Sequence, residues 1–100
     1  MNKRTIVIDG TKISDIESFY GEVEFAFTKG LNWKTGRNLA AFSDLLCGGF
    51  GVHEYEEPIK VIWENFTYSK TKLGNELTEI ILKIIQGHDH IEFETLEKKL

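Results

Sequence analysis

Three short β-rich runs, separated by longer segments with helical periodicity, constrain the fold of this 100-residue chain more than any other feature. The runs lie at residues 5–9, 59–64 and 91–95. Strands joined by helical crossovers pair in parallel, whereas hairpin connections are far shorter. In the last run, Glu92 and Glu94 alternate with apolar residues, as in an edge strand protected against pairing with other chains. The pattern predicts a two-layer α/β fold, in which helices cover mainly one face of a three-stranded parallel sheet.

The segments between these runs carry apolar residues at three- and four-residue spacing, which predicts amphipathic helices. Ser14 and Glu17 have the spacing of a capping box and predict the start of the first helix, which ends at Gly30. Further helical segments are predicted at residues 37–47, at 65–70 as a short turn, and at 75–86. Asn65 is expected to cap the short turn, and Gly87 to end the last helix.

Composition and charge narrow the classes of protein to which the chain can belong. The content of 41% hydrophobic and 28% charged residues is globular, and we expect one domain over residues 1–100. A net charge of −4 argues against binding to nucleic acid, which needs a basic surface. The apolar runs are too short for a membrane span or a signal peptide. Together with the single Cys47, which has no disulfide partner in the chain, this predicts a cytoplasmic protein.

The helix predicted at residues 37–47 has one apolar face and one unusually bare face. Leu39, Phe42 and Leu46 follow the spacing of a core stripe. The other face is mostly small: Ala40, Ala41, Ser43 and Cys47. Asp44 projects among them near the negative end of the helix dipole, where a carboxylate is disfavoured. The face is therefore expected either to be covered by another molecule that contacts this carboxylate, or to carry an ordinary surface acid.

Groups with catalytic or metal-binding chemistry do not converge in the sequence. His88 and His90 fit a solvated turn better than a metal site, because no second cluster of ligands accompanies them. His53 stands in another loop with no evident partner, and no base stands beside Cys47 in the sequence. The acidic run at 54–57 fits a solvated loop or a rim that steers a basic partner. The sequence predicts no enzyme, no metal and no cofactor.

The segment from Gly36 to Gly48 resembles the barstar family, the intracellular inhibitors of secreted bacterial ribonucleases. The pattern Gly-x-Asn-Leu-x-Ala-x-x-Asp-x-Leu is formed by Gly36, Asn38, Leu39, Ala41, Asp44 and Leu46. "VIDG" near the start, "WENFTYSK" at 63–70 and the last helix with its edge strand are also similar in order and spacing, so the resemblance covers about residues 4–96. It implies a two-layer α/β domain with three parallel strands. It also implies that the inhibitory helix and the loop before it plug the active site of a ribonuclease.

The resemblance implies a set of partner-binding positions. These are Lys34, Asn38, Ala40, Ser43, Asp44, Cys47, Gly48 and Phe50. Asp44 matches the dominant inhibitory aspartate of the family, and its carboxylate is expected to pair with cationic groups that bind phosphate in the ribonuclease. Some positions depart from the family pattern. The second helix acid falls at Ala40, the aromatic residue before the helix at Lys34, and the aromatic residue on the helix at Ser43, while the acid of the last helix falls near Leu82 or Lys83.

Two functions are therefore predicted as alternatives. In the first, the chain is an inhibitor or immunity protein that binds a basic ribonuclease or nuclease toxin and occludes its active site with the acidic helix. In the second, it is a protein–protein interaction module with the barstar fold that no longer inhibits a nuclease. Neither alternative includes nucleic acid or a membrane as a partner.

Overall fold

A computed structural model of the protein describes residues 3–28, 38–48 and 53–98. Three β-strands form one sheet: β1 (Arg4–Asp9), β2 (Ile59–Glu64) and β3 (Ile91–Leu96). The strands lie in the order β1-β2-β3, and both neighbouring pairs are parallel. The predicted α/β fold with a three-stranded parallel sheet is confirmed.

The described residues contain four α-helices: α1 (Ile16–Thr28), α2 (Leu39–Cys47), α3 (Phe66–Leu73) and α4 (Asn75–Gln86). A single 3-10 turn at Gly10–Lys12 joins β1 to α1. The first helix packs on β1, and α2 packs against both α1 and α4. Among the helices that the structure describes, none combines the length and apolar character of a membrane span.

The two faces of the sheet differ in burial, as strand alternation requires. Ile8 on β1 and Trp63 on β2 point to the helical side and are fully buried. The opposite face is open, because Val7 is exposed and Lys60 reaches across to form ion pairs with the β3 carboxylates. Those carboxylates belong to Glu92 and Glu94, which are exposed on the strand at the sheet edge. This is the edge-strand arrangement that the sequence predicts.

An aromatic cluster fixes α2 on the rest of the molecule. The ring of Phe19 on α1 lies edge-on to Phe42 on α2 at a centroid distance of 5.0 Å, and 5.8 Å from the ring of Trp63 on β2. All three side chains are buried. Because buried aromatic rings contribute the largest apolar areas in a core, this contact determines which face of α2 is left outside.

Two predicted helix starts differ in detail from the structure. The capping box of α1 is formed by Asp15 and Ser18, one position beyond the predicted pair Ser14 and Glu17. Asp15 Oδ1 accepts from the Ser18 N–H at 2.8 Å, and Ser18 Oγ accepts from the Asp15 N–H at 3.0 Å. Because both residues can complete this reciprocal pair, the helix begins after Asp15.

The predicted short turn at residues 65–70 is the full helix α3. Asn65 stands at its N-cap position, but with φ +52° and no capping hydrogen bond from its side chain. Its Oδ1 accepts instead from the Lys98 N–H at 3.1 Å, so the side chain holds the segment after β3. The prediction that Asn65 caps this helix through its side chain was wrong, because the backbone at Asn65 is left-handed rather than extended.

Candidate partner-binding surface

The amino end of α2 is set by a side-chain cap. Asn38 has an extended backbone, and its Oδ1 accepts from the Ala41 N–H at 2.8 Å. Asparagine is among the preferred residues at this position, since its side chain satisfies an N–H group that the helix leaves without a partner. The helix therefore begins at Leu39, and Asn38 has a structural role next to the partner-binding role that is predicted for it.

The apolar side of α2 is the predicted one, whereas Ser43 and Cys47, predicted on the bare side, are partly covered by His88. Phe42, Leu45 and Leu46 are buried in the core. The outer side carries Ala40 and Asp44, both exposed. The small residues beside them are half-buried: Ala41, Ser43 and Cys47. The Asp44 side chain thus stands on a surface where few atoms project beyond the helix backbone.

The carboxyl end of α2 has a partner for each of its last four carbonyl groups, which cannot be satisfied within a helix. The Gly48 N–H donates to the carbonyls of Asp44 and Leu45. The Glu56 N–H donates to Cys47 O at 2.6 Å. The Leu46 carbonyl accepts from two imidazole rings, those of His53 and His90, at 3.1 and 2.8 Å.

Gly48 permits the chain to turn back at this point. Its φ of +96° lies in the region that favours glycine, and the residue is buried. A Cβ atom here would lie 2.6 Å from His53 Nε2 and would collide with Glu54 O. The structure therefore gives Gly48 a role in closing the helix end, and its contact with a partner stays a prediction.

Three histidines converge on this helix end. His53 is only 4% exposed, and the ring of His90 lies 6.5 Å from it. His88 is hydrogen-bonded through Nε2 to Ser43 Oγ at 3.0 Å, and its Nδ1 lies 3.8 Å from Cys47 Sγ. His88 and His90 lie on the predicted turn, but their side chains are half-buried and hydrogen-bonded rather than solvated, and His53 has a partner that was not evident from the sequence.

The topology of the sheet explains this convergence. Parallel pairing sets Ile59 at the start of β2 opposite Ile91 at the start of β3. His53 lies in the segment before β2, and His90 lies in the segment before β3. Both segments therefore meet at the same end of the sheet, where the strands begin. Periodicity within each segment carries no information on this meeting, so sequence analysis missed it.

Burial favours the uncharged forms of His53, His88 and Cys47. The pKa of His53 lies below its ordinary value because burial disfavours the charged ring. Burial likewise lowers the pKa of His88 and raises the pKa of the Cys47 thiol, which the nearby carboxylates of Asp44 and Glu56 raise further. Although His88 provides a base that the sequence did not place beside Cys47, the thiol is not activated as a nucleophile.

A surface cavity of about 290 Å³ lies beside the histidines. Its lining residues are Glu56, Gly87, His88, Asp89 and His90. Within the parts of the chain that the structure describes, no three His, Cys, Asp or Glu side chains are grouped so as to hold a metal ion. The lining presents carboxylate and imidazole groups to the cavity.

The structure describes six of the eight predicted partner-binding residues. The residues on and around α2 lie on one continuous segment: Asn38, Ala40, Ser43, Asp44, Cys47 and Gly48. Lys34 and Phe50 lie outside the described residues. On α4, Leu82 is half-buried and Lys83 is exposed, and neither supplies the acid of the family pattern.

A family model described as "Barstar (barnase inhibitor)" matches residues 3–96. The match spans all three strands and the four α-helices described above. No curated protein matches the chain significantly.

Proposed function

Because the chain belongs to the barstar family, we propose that it is an inhibitor or immunity protein that binds a basic ribonuclease or nuclease toxin. The outer face of α2 occludes the active site of the nuclease. The observation that carries this proposal is the exposed Asp44 carboxylate on a face of small residues. In this function the protein acts by binding and needs no cofactor.

The chemistry of a ribonuclease explains why one carboxylate is effective. An enzyme that binds RNA presents cationic side chains to phosphate groups, and a carboxylate accepts charge-assisted hydrogen bonds from the same donors. Ala40 and Ala41 place no long side chain in front of Asp44, so the surface of the nuclease can approach the helix closely. Exposed Glu54 and Glu56 add negative charge next to the helix end, which favours encounter with a basic protein.

The departures from the family pattern bear on which nuclease is bound. Ala40 is exposed where the pattern has a second acid, and Ser43 contacts His88 where the pattern has an aromatic side chain. Complementarity to the usual ribonuclease of the family is therefore reduced. These same two positions favour the second candidate function, in which the protein is a non-inhibitory interaction module that binds another protein.

Titration of the protein into a nuclease that is hydrolysing RNA tests the proposal. The probes are barnase and any small basic nuclease encoded beside the gene of this protein. The proposal predicts stoichiometric loss of RNA hydrolysis with at least one probe, and competition with a nucleotide that occupies the active site. Binding that leaves hydrolysis unchanged would instead support the interaction module.

A further inference from the structure

We propose that His53, His88 and His90 form a clamp on the carboxyl end of α2 that holds at neutral pH and opens on acidification. The inference rests on the proposed function in one respect: the face that the clamp positions is the face proposed to bind the nuclease. It adds a means by which pH regulates that face.

The clamp contacts the last turn of α2 on two sides. Towards the core, His53 and His90 both donate to the Leu46 carbonyl. A carbonyl oxygen only accepts, so each ring carries a hydrogen on Nε2. Towards the outer face, His88 contacts Ser43 Oγ and lies near Cys47 Sγ. The position of the outer face relative to the rest of the protein therefore depends on these three rings.

The spacing of the rings makes the clamp sensitive to protons. The centroid of His90 lies 6.5 Å from that of His53 and 5.6 Å from that of His88. A proton on His53 would place a charge in the buried core, and a proton on His88 would place a charge against the Ser43 hydroxyl and the Cys47 thiol. Opening separates the charges and exposes them to water, so protons bind preferentially to the open form.

The groups around His53 affect its pKa less than its burial does. The Leu46 carbonyl, which accepts from His53, and the Glu57 carboxylate favour a charge on the ring, whereas His90 and Arg4 oppose it. From α1, the apolar ring of Phe27 lies 5.8 Å from the imidazole. Burial is the largest influence, and the pKa of His53 is below 6.5 as a result. The clamped form therefore binds fewer protons than the open form as the pH falls through this range.

The surroundings of His88 include groups that favour a charge on its ring and groups that oppose it. Glu56 favours a charge on His88, but burial has the larger effect and His90 adds to it, so the pKa of His88 is also lowered. Glu56 and Asp89 line the cavity beside both rings. On the α2 side, His88 faces the hydroxyl of Ser43 and the neutral Cys47 thiol, which do not stabilise a cation as a carboxylate would.

Hydrogen exchange tests the clamp without any partner. The Glu56 N–H bonds to Cys47 O at 2.6 Å and reports whether the segment after α2 stays closed on the helix end. The Gly74 N–H, bonded to Lys70 O at the end of α3, is the internal control. After correction for intrinsic exchange, protection at Glu56 is expected to fall about tenfold from pH 7.5 to 5.5, because the open form binds more protons. Protection at Gly74 is expected to stay within about twofold. Equal changes at the two amides would overturn the proposal.

The double variant His53→Gln/His90→Gln separates titration from hydrogen bonding. A glutamine amide can still donate to Leu46 O, but it does not titrate. Protection at Glu56 is expected to be near the wild-type value at pH 7.5 and to change little at pH 5.5. Persistence of the full pH effect would contradict the clamp. If the double variant does not fold, the single His88→Gln variant, at a half-buried position with a lowered pKa, should show a smaller pH effect than wild type, and an unchanged effect would contradict the clamp.

Binding to barnase at the same two pH values connects the clamp with the proposed function. The affinity of the wild-type protein is expected to fall about tenfold more than that of the double variant. Loss of Glu56 protection in acid without barnase binding at any pH supports the clamp and counts against barnase-type inhibition. Binding with the same pH dependence in both proteins supports inhibition and overturns the clamp.

Discussion

Gly48 joins the last turn of α2 to the segment that returns towards β2, and it does so with φ +96°. Gly74, between α3 and α4, has a similar φ of +89° but no neighbouring atom where a Cβ would lie. A Cβ on Gly48 would instead meet the ring of His53 and the carbonyl of Glu54. The two glycines therefore separate the effect of backbone conformation from that of a collision.

Alanine at each glycine is expected to destabilise the protein to a different extent. Gly74→Ala introduces only the strain of a backbone conformation that is almost restricted to glycine and should lower the free energy of unfolding by about 1–3 kcal/mol. Gly48→Ala adds displacement of backbone and imidazole atoms and should lower it by at least about 1 kcal/mol more. Urea unfolding of both variants measures the difference. Equal losses would show that the helix end accommodates the extra carbon.

Asp44 could be found from the sequence, whereas the residues around it could not. Its exposure follows from helical periodicity and from the small neighbours on its face. The contact of His88 with Ser43 joins residues 45 positions apart, and it depends on strand pairing rather than on any local pattern. Sequence analysis therefore identified the carboxylate and missed the imidazoles that hold its helix.

The helix α2 is held at both ends by groups outside its own hydrogen-bond ladder. Asn38 satisfies an N–H group at the start, and the histidines with Glu56 satisfy carbonyls at the finish. A helix of nine residues is too short to be stable in water by itself. Its conformation, and hence the presentation of Asp44, depends on these caps and on its buried face.

Removal of the N-cap should weaken the protein measurably. Asn38→Ala is expected to lower the free energy of unfolding by about 1 kcal/mol, whereas Asn38→Asp retains an accepting oxygen and should stay near wild type. Thermal or urea unfolding of the pair checks this expectation. An alanine variant as stable as wild type would mean that the cap contributes nothing net.

Local sequence patterns identified the strands and the longer helices more reliably than their ends. The capping box of α1 lies one position beyond the predicted pair, because Asp15 and Ser18 form the same reciprocal contacts. Asn65 is a residue type preferred at helix N-caps, yet its side chain accepts from the backbone N–H of Lys98. Both differences arise where several polar residues compete for the same N–H groups.

The parallel sheet determines where the parts of the candidate surface meet. The loops before β2 and β3 both lie at the end of the sheet where the strands begin. Histidines that are distant in sequence therefore surround the carboxyl end of α2. The parallel pairing of three strands and the two layers followed from the alternation of strand and helical patterns. The packing of the loops against α2 did not, since it depends on the pairing register.

Stability should reflect the buried imidazoles. The lowered pKa values of His53 and His88 mean that the folded protein binds fewer protons than the unfolded chain below pH 6.5. The free energy of unfolding should therefore fall as the pH decreases from 7.5 to 5.5. Burial raises the pKa of Glu22, so its protonation in acid favours the folded protein and opposes the effect of the histidines. The pH dependence of the wild-type protein is therefore compared with that of His53→Gln, in which the Glu22 effect is the same. Urea unfolding should show that the free energy of unfolding depends less on pH in this variant than in the wild-type protein. An equal dependence would contradict the attribution of the pH effect to His53.

The affinity of Asp44→Ala for an inhibited nuclease tests the central claim most directly. Loss of one member of a buried, hydrogen-bonded charge pair weakens binding by roughly 2–5 kcal/mol, so the dissociation constant should rise about thirty-fold or more. Glu94→Ala, which removes an exposed carboxylate from β3 on the open face of the sheet, is the matched control and should bind like wild type. Both variants should keep the wild-type melting temperature. A dissociation constant of Asp44→Ala equal to that of the wild-type protein would contradict the proposed occlusion by α2.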